Sequence, residues 1–250
     1  MGRDVSIDLT TLKLLIRLRQ RLEGDEPRRL LALGYPDALV APEAYVRVLG
    51  PETAAKLRWR EDSASVLRWH GLHGKLDRIV DSASLFALCR YRLECIDISA
   101  ARGDEIIADM NQPLPADLEG QFDVVYDGGT LEHCFNIAQA VKNMALACKR
   151  GGFCVNINPL NVYNHGFYNF SPTFYADFYG CNGFQLLDIV GLSGNYGTLD
   201  SPTSTRLPPM KRFDQAPERS VIMAVAQKIE DAPIIWPIQA KYRLNPNLRG

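Results

Sequence analysis

The sequence predicts an α/β fold in which strands alternate with helices around a mostly parallel sheet, and four stretches carry that reading. The run FDVVYDGGTLEH over residues 122–133 opens as an apolar strand, turns through Asp127, Gly128 and Gly129, and continues as a helix. That is half of a βαβ unit. Residues 65–99 read as strand, loop, helix and strand, a complete unit of the same kind. Residues 105–111 and 153–158 are further short apolar runs with polar residues at their ends. In open sheets of this type ligands sit outside the carboxyl ends of the strands, so strand-end residues are the candidates for chemistry.

The other elements follow along the chain. Residues 8–23 carry Leu9, Leu12, Leu15 and Leu22, with Leu14, Ile16 and Leu18 between them and Lys13, Arg17, Arg19 and Arg21 interspersed. This is an amphipathic helix with a broad apolar face, suited to the main domain or to a second subunit. Its basic residues do not segregate as a membrane-surface helix requires. Pro27 and the turn at Gly34, Tyr35 and Pro36 break the chain, and a helical stretch over 41–49 ends at Gly50 and Pro51. Residues 1–50 therefore read as a helical extension ahead of a domain over 51–230, with an extended tail over 231–250.

Within that domain 65–69 reads as the first strand, 70–74 as a loop, 77–90 as a helix, and 93–99 and 105–111 as the second and third strands. The helix after the 122–126 strand takes Thr130 or Asp127 as N-cap. It runs over 131–149, with Leu131, Phe135, Ala138, Val141 and Met144 at helical spacing, until Lys149, Arg150, Gly151 and Gly152 stop it. Residues 153–158 form the fifth strand. A helix capped by Ser171 and Pro172 follows to about 179, and 185–190 and 220–226 pair as antiparallel strands. Between them 191–217, rich in Gly, Ser, Thr and Pro, reads as a long loop serving as a lid or an oligomer contact.

Composition sets limits. The 250 residues are 46% hydrophobic and 23% charged, ordinary proportions for a soluble globular chain. A net charge of −1 favours no polyanionic partner. The densest basic stretch, Lys56, Arg58, Arg60 and Arg68, is interrupted by Glu61 and Asp62, so no nucleic acid is expected. Cys89, Cys95, Cys134, Cys148, Cys154 and Cys181 form no C-x-x-C pair and lie mostly in apolar runs, as buried thiols do. The N-terminus lacks the apolar core of a signal peptide, and no segment reaches the ~20 apolar residues of a membrane span. A cytoplasmic location is expected.

The 122–133 run resembles the fourth motif of class I S-adenosylmethionine-dependent methyltransferases. The KRGG run over 149–152 and the strand after it resemble that family's next segment. Together with HGFYNFSP over 165–172, DGGTLEH over 127–133 is similar to a bacterial methyltransferase subgroup. The resemblance implies a Rossmann-like fold, with a seven-stranded, mostly parallel sheet whose last strand is antiparallel. It also implies S-adenosylmethionine as cofactor.

On that alignment Gly71 and Gly74, flanked by His70 and His73, stand where the family has its G-x-G-x-G turn. Asp97, followed by Ile98, stands for the acid that holds the ribose hydroxyls. Asp109 lies near the adenine amino group with Met110 on the adenine face, and Asp127 and Gly128 complete the cofactor set. Residues 158–172 gather asparagines, a histidine and aromatics at a strand end, a composition suited to a small-molecule or sugar acceptor. Asn161, Asn164 and Tyr168 are its candidate contacts.

His133 or His165 is the candidate general base, with Glu132 beside it, because an imidazole has an unperturbed pKa of ~6.5. The histidines and Glu132 lack the tight H-E-x-x-H spacing of a helical metal site, so no metal is expected. Two other classes compete with the methyltransferase reading. One is a scaffold of the same fold that has lost its cofactor. The other is a different sugar- or nucleotide-processing Rossmann enzyme, which lacks support because no Tyr-x-x-x-Lys pair follows the fourth strand. A homodimer through the N-terminal helices or the 191–217 loop is also compatible.

Overall fold

The computed structural model describes residues 6–100, 104–194, 202–209, 211–216 and 219–245. The chain begins with β1 (Ser6–Ile7), α1 (Leu9–Arg21), β2 (Arg28–Leu33), β3 (Asp37–Ala38), α2 (Pro42–Leu49), α3 (Pro51–Ala54), α4 (Ser63–Trp69) and α5 (Ser82–Leu88). It continues through β4 (Tyr91–Asp97), β5 (Ile106–Ile107), β6 (Phe122–Asp127), α6 (Ile137–Ala147), β7 (Cys148–Pro159) and α7 (Pro172–Cys181). It closes with β8 (Phe184–Ser193), β9 (Thr203–Arg206), β10 (Val221–Lys228) and α8 (Ala240–Arg243).

Eight strands form one sheet in the order β5-β4-β2-β6-β7-β10-β8-β9. The pairs from β5 to β7 are all parallel, and β10 runs antiparallel to both β7 and β8. Without β9 this is the expected seven-stranded Rossmann-like sheet with its last strand antiparallel, the class I methyltransferase arrangement. The eighth strand, β9, lies inside the segment read as a loop and pairs antiparallel with the edge of β8. Residues 195–201, 210 and 217 of that segment lie outside the described residues.

The beginning of the sheet differs from expectation. Residues 65–69 belong to α4, not to a first strand, because Ser63, Leu67 and His70 are buried while Ser65, Arg68 and Trp69 are exposed. That spacing is one stripe of a helix; a strand would alternate. The sheet's first long strand is instead β2, inside the stretch read as a helical extension. It lies between β4 and β6, with Leu31 and Leu33 facing one core and Leu30 and Ala32 the other. Gly71 and Gly74 consequently follow a helix, not a strand. The turn at the carboxyl end of β2 is Gly34 to Asp37.

Other boundaries move too: residues 149–152, read as the stop of the helix, lie within β7, and the strand read over 105–111 is only Ile106–Ile107. Helix α5 starts late because the Asp81 carboxylate caps it, accepting from the Ser84 N–H at 2.7 Å. Helix α6 starts at Ile137, with the Asn136 side chain accepting from the Gln139 N–H at 3.3 Å, so neither Thr130 nor Asp127 is its cap.

Helix α1 forms as expected, capped by Asp8. Leu9, Leu12, Leu15 and Leu18 are buried in the core under its own sheet, so this apolar face is covered within the chain. Arg19 locks the helix exit. Its guanidinium donates to the carbonyls of Leu22, Gly24, Glu26 and Arg90, where α1 turns into β2. No helix of the described residues is long and apolar enough to cross a membrane. All six cysteines are free, and all but Cys181 are buried.

Arg19→Ala leaves those carbonyls without their charged donor, a loss of roughly 1–2 kcal/mol. Urea unfolding is expected to show a lower midpoint with an unchanged slope. An unchanged midpoint would remove Arg19 from the anchoring of β2.

Candidate functional site

The carboxyl ends of β2, β4, β5, β6 and β7 lie along one edge of the sheet, and the candidate residues are set by how each strand stops. At β2 the chain leaves through Gly34, whose N–H still bonds the Ile96 carbonyl of β4 at 2.8 Å. Its φ of +75° suits a glycine. The rest of this turn is braced by side chains. The Tyr35 hydroxyl donates to Asp81 at 3.2 Å, and Ser82 Oγ donates to the Pro36 carbonyl. Asp37 pairs with buried Arg60 and lies 2.9 Å from Nε2 of buried His70. His70, read as a loop residue beside the cofactor glycines, is thus a brace under this turn. Gly71 and Gly74 both have positive φ with open space around them.

Strand β4 stops at Asp97, whose carboxylate accepts from the Ser99 N–H at 3.2 Å; Ile98 beside it is 76% exposed. Beyond β5 the Ala108 N–H bonds the Asp97 carbonyl at 3.0 Å, one residue before Asp109. Oδ1 of Asp109 accepts from the backbone and side chain of Asn111. Met110, expected on an adenine face, is buried in the core. Asn143 of α6 fixes this loop by donating to the carbonyls of Met110 and Gln112.

Strand β6 stops at Asp127, which is fully buried. Oδ1 accepts from the N–H groups of Gly129, Thr130 and Leu131, and Oδ2 from the side chains of Asn158 at 2.7 Å and Asn156 at 3.4 Å. Both oxygens serve the fold, so Asp127 holds the site together and does not face a ligand. Gly128 is required for packing: a Cβ there would lie 2.5 Å from the Tyr126 hydroxyl.

The N–H groups gathered by Asp127 set up a single 3₁₀ turn over Leu131–His133. Glu132 in that turn is 1% exposed, with Oε2 accepting from Asn158 Nδ2 at 2.9 Å and Oε1 3.5 Å from His165 Nε2. Asn158 also accepts from the Tyr175 hydroxyl, and Asn156 from the Tyr179 hydroxyl at 2.7 Å. These two tyrosines lie four residues apart on one face of α7. In the sequence they stand as an aromatic pair at i and i+4, which core packing alone also explains.

The loop after β7 is fastened onto the 3₁₀ turn. The Phe167 N–H donates to the Glu132 carbonyl at 2.7 Å, and the Tyr168 hydroxyl donates to the Phe135 carbonyl at 2.7 Å. Gly166 permits the approach, since a Cβ there would meet the Glu132 carbonyl oxygen at 2.7 Å. The rings of His133 and His165 lie 5.1 Å apart, and Phe135 and Phe167 pair edge-on at 5.4 Å. His133, Phe135 and Phe167 are exposed and form the outer surface of the cluster.

Of the expected acceptor contacts, Tyr168 is the strut just described. Asn161 clamps Ser220, accepting from its N–H at 2.9 Å. Asn164 is exposed, with a φ of +56°. The structure thus gathers Glu132, His133 and His165, puts Asp97 and Asp109 at the ends of neighbouring strands, and sets Gly71 and Gly74 apart from the strand ends.

No protein-family model matches the chain, and no curated protein matches it. Solved structures similar to it include methyltransferases. One is a Burkholderia thailandensis 1,6-didemethyltoxoflavin-N1-methyltransferase with 1,6-didemethyltoxoflavin and S-adenosylhomocysteine bound. It is 13% identical over 89% of this chain and 78% of that one, with a TM-score of 0.45. A second is the CMeT domain of the citrinin polyketide synthase, 12% identical over 90% of this chain and 52% of that one, TM-score 0.47. A third is the 16S rRNA (adenine(1408)-N(1))-methyltransferase from Catenulisporales acidiphilia, 11% identical over 93% and 97%, TM-score 0.41. Likeness at this level assigns no acceptor and no residue role.

Burial and then the charge of Glu132 push the Asp127 carboxyl up, to about 6. The ordinary unfolded value is ~3.9, so between about pH 4 and 6 the folded chain binds this proton more tightly than the unfolded chain does. The contribution of Asp127 to stability is therefore greatest below pH ~4 and declines as pH rises through about 6. Asp127→Asn removes that dependence and opposes its amide to that of Asn158, a cost of ~1–3 kcal/mol. The stability gap between wild type and variant is expected to narrow from pH 4 to pH 7 in denaturant titrations. A gap that widens with pH would contradict the raised value.

Proposed function

We propose that the chain is an S-adenosylmethionine-dependent methyltransferase acting on a small-molecule or sugar acceptor. One observation supports this reading: Asp97 ends β4 and Asp109 follows β5 one residue after the Ala108 N–H that bonds Asp97, while Glu132, His133 and His165 stand past β6 and β7 on the same edge. In this arrangement Asp97 binds the ribose hydroxyls, and Asp109 with exposed Ile98 borders the adenine. The Gly34–Asp37 turn supports the cofactor in the place first given to Gly71 and Gly74. The acceptor meets the face formed by exposed His133 and Phe167, with the largely covered His165 beside them.

Transfer is an in-line displacement, with the methyl passing from sulfonium sulfur to an acceptor oxygen or nitrogen, so positioning supplies most of the rate. The acceptor's proton goes to the imidazole of His165 or His133. Glu132, 3.5 Å from His165, offsets the positive charge that this imidazole acquires. His165→Ala is then expected to keep cofactor affinity and to lower turnover by ~10²–10⁴.

A second reading, a scaffold without cofactor, draws on the same turn. Asp37, Arg60 and His70 fill the space beneath it with paired side chains, where a glycine-rich loop would bring bare backbone to the ligand. Calorimetric titration with S-adenosylmethionine and S-adenosylhomocysteine separates the two. The methyltransferase reading expects micromolar affinity, weakened at least tenfold in Asp97→Ala. A folded wild-type protein that gives no heat would select the scaffold.

A further inference from the structure

We propose that Glu132, His133 and His165 form a binding site for a divalent transition-metal ion. One donor atom from each lies within 4.8 Å of the others, although Glu132 and His165 are far apart in the sequence and come from loops after different strands. On an ion with bonds of ~2.0–2.2 Å, neighbouring donors stand ~3–3.5 Å apart. Glu132 and His165 are already at 3.5 Å. His133, exposed on the 3₁₀ turn, closes the remaining gap by rotating its side chain.

Three features distinguish this group from a chance surface cluster. Glu132 is almost wholly buried, and its second oxygen is oriented by Asn158, which Asp127 and Tyr175 orient in turn. A carboxylate ligand fixed by outer hydrogen bonds is what metal sites use to tune affinity. The two ligand-bearing segments are fastened together by the Phe167-to-Glu132 and Tyr168-to-Phe135 hydrogen bonds, with Gly166 at the closest approach. Charge is also unbalanced. Asp127 and Glu132 are both buried, and among the described residues the one ion-pair partner of either is His165.

Two imidazoles and one carboxylate suit Mn²⁺, Fe²⁺, Co²⁺ or Zn²⁺ and disfavour Mg²⁺, which prefers an all-oxygen shell. Three protein ligands leave room on the solvent side for a water or an acceptor oxygen. Under the methyltransferase reading, on which this extension alone rests, the ion selects an acceptor with a metal-binding hydroxyl. Its field then lowers that hydroxyl's pKa in place of a free imidazole base.

The test uses full-length protein freed of metal with a chelator and dialysed. It is titrated with Co²⁺ by visible absorption and with Zn²⁺ by calorimetry, with Mg²⁺ as the counter-probe. The expected result is one saturable equivalent of Co²⁺ or Zn²⁺ and none of Mg²⁺. Affinity falls at least tenfold in each of Glu132→Gln, His133→Ala and His165→Ala. Because His133 is exposed, its variant keeps the fold, and a metal-free melt matching wild type checks this. No saturable binding by wild type, or undiminished binding by a His133→Ala and His165→Ala double variant, overturns the site. S-adenosylmethionine titrations in chelator separate the two proposals. Cofactor binding without metal binding overturns the metal site alone, and the reverse overturns the methyltransferase reading alone.

Discussion

Asp127 ends β6 with no access to solvent and five N–H donors around its two oxygens. Removing a carboxylate from water costs several kcal/mol unless its lone pairs are satisfied, so these donors are obliged to stay where they are. Three belong to the backbone just after β6 and force the 3₁₀ turn that presents Glu132 and His133. Two belong to Asn156 and Asn158 on β7, which in turn hold the hydroxyls of Tyr179 and Tyr175 on α7. One charge thereby sets the mutual positions of two strand ends, a turn and a helix. The histidine cluster is where it is because the residues beneath it have nowhere else to bond.

The turn after β2 solves a different problem. A Rossmann-like fold commonly lets a ligand approach this turn by omitting side chains. Here a single glycine gives the needed φ, and the following residues are held by Asp81, Ser82, Arg60 and His70 from the long crossover between β2 and β4. The crossover contains β3 and four helices in place of one, and its buried ion pairs replace the backbone compactness of a glycine run. Rigidity at this edge comes from side chains gathered across some forty residues of chain.

That difference decides what could be read from the sequence. The β6 segment, α1 and the strand-end acids were legible because each is a local pattern: an apolar run, a helical repeat, a polar residue after a strand. Strand β2 was not, because Leu30, Leu31, Ala32 and Leu33 are good helix formers and four residues show no period. Its identity comes from the sheet, where both its faces are buried. Residues 65–69 differ in the opposite direction, since five residues with Val66, Leu67 and Trp69 apolar hide whether burial repeats every two positions or every three to four. His133 and His165 were legible as candidates, but their meeting was not. It depends on β6 and β7 pairing in register, Tyr126 opposite Val155, and on a glycine thin enough to pass Glu132.

The buried charges also tie the two ends of the cluster together. The Asp127 carboxyl is raised by burial and, next, by the negative charge of Glu132. Any positive charge placed on Glu132 weakens that second cause. A metal ion there, an imidazolium at His165 or the sulfonium of a bound cofactor nearby would each lower the proton affinity of Asp127. The carboxylate that shapes the site would then ionise more readily once the site is filled, and its bonds to Asn158 and to the 3₁₀ turn would gain the strength of a charged acceptor. By linkage, a site tightened by its ligand binds that ligand better as pH rises through the range where Asp127 loses its proton. The same network thus couples the charge at Glu132 to one proton held beneath it.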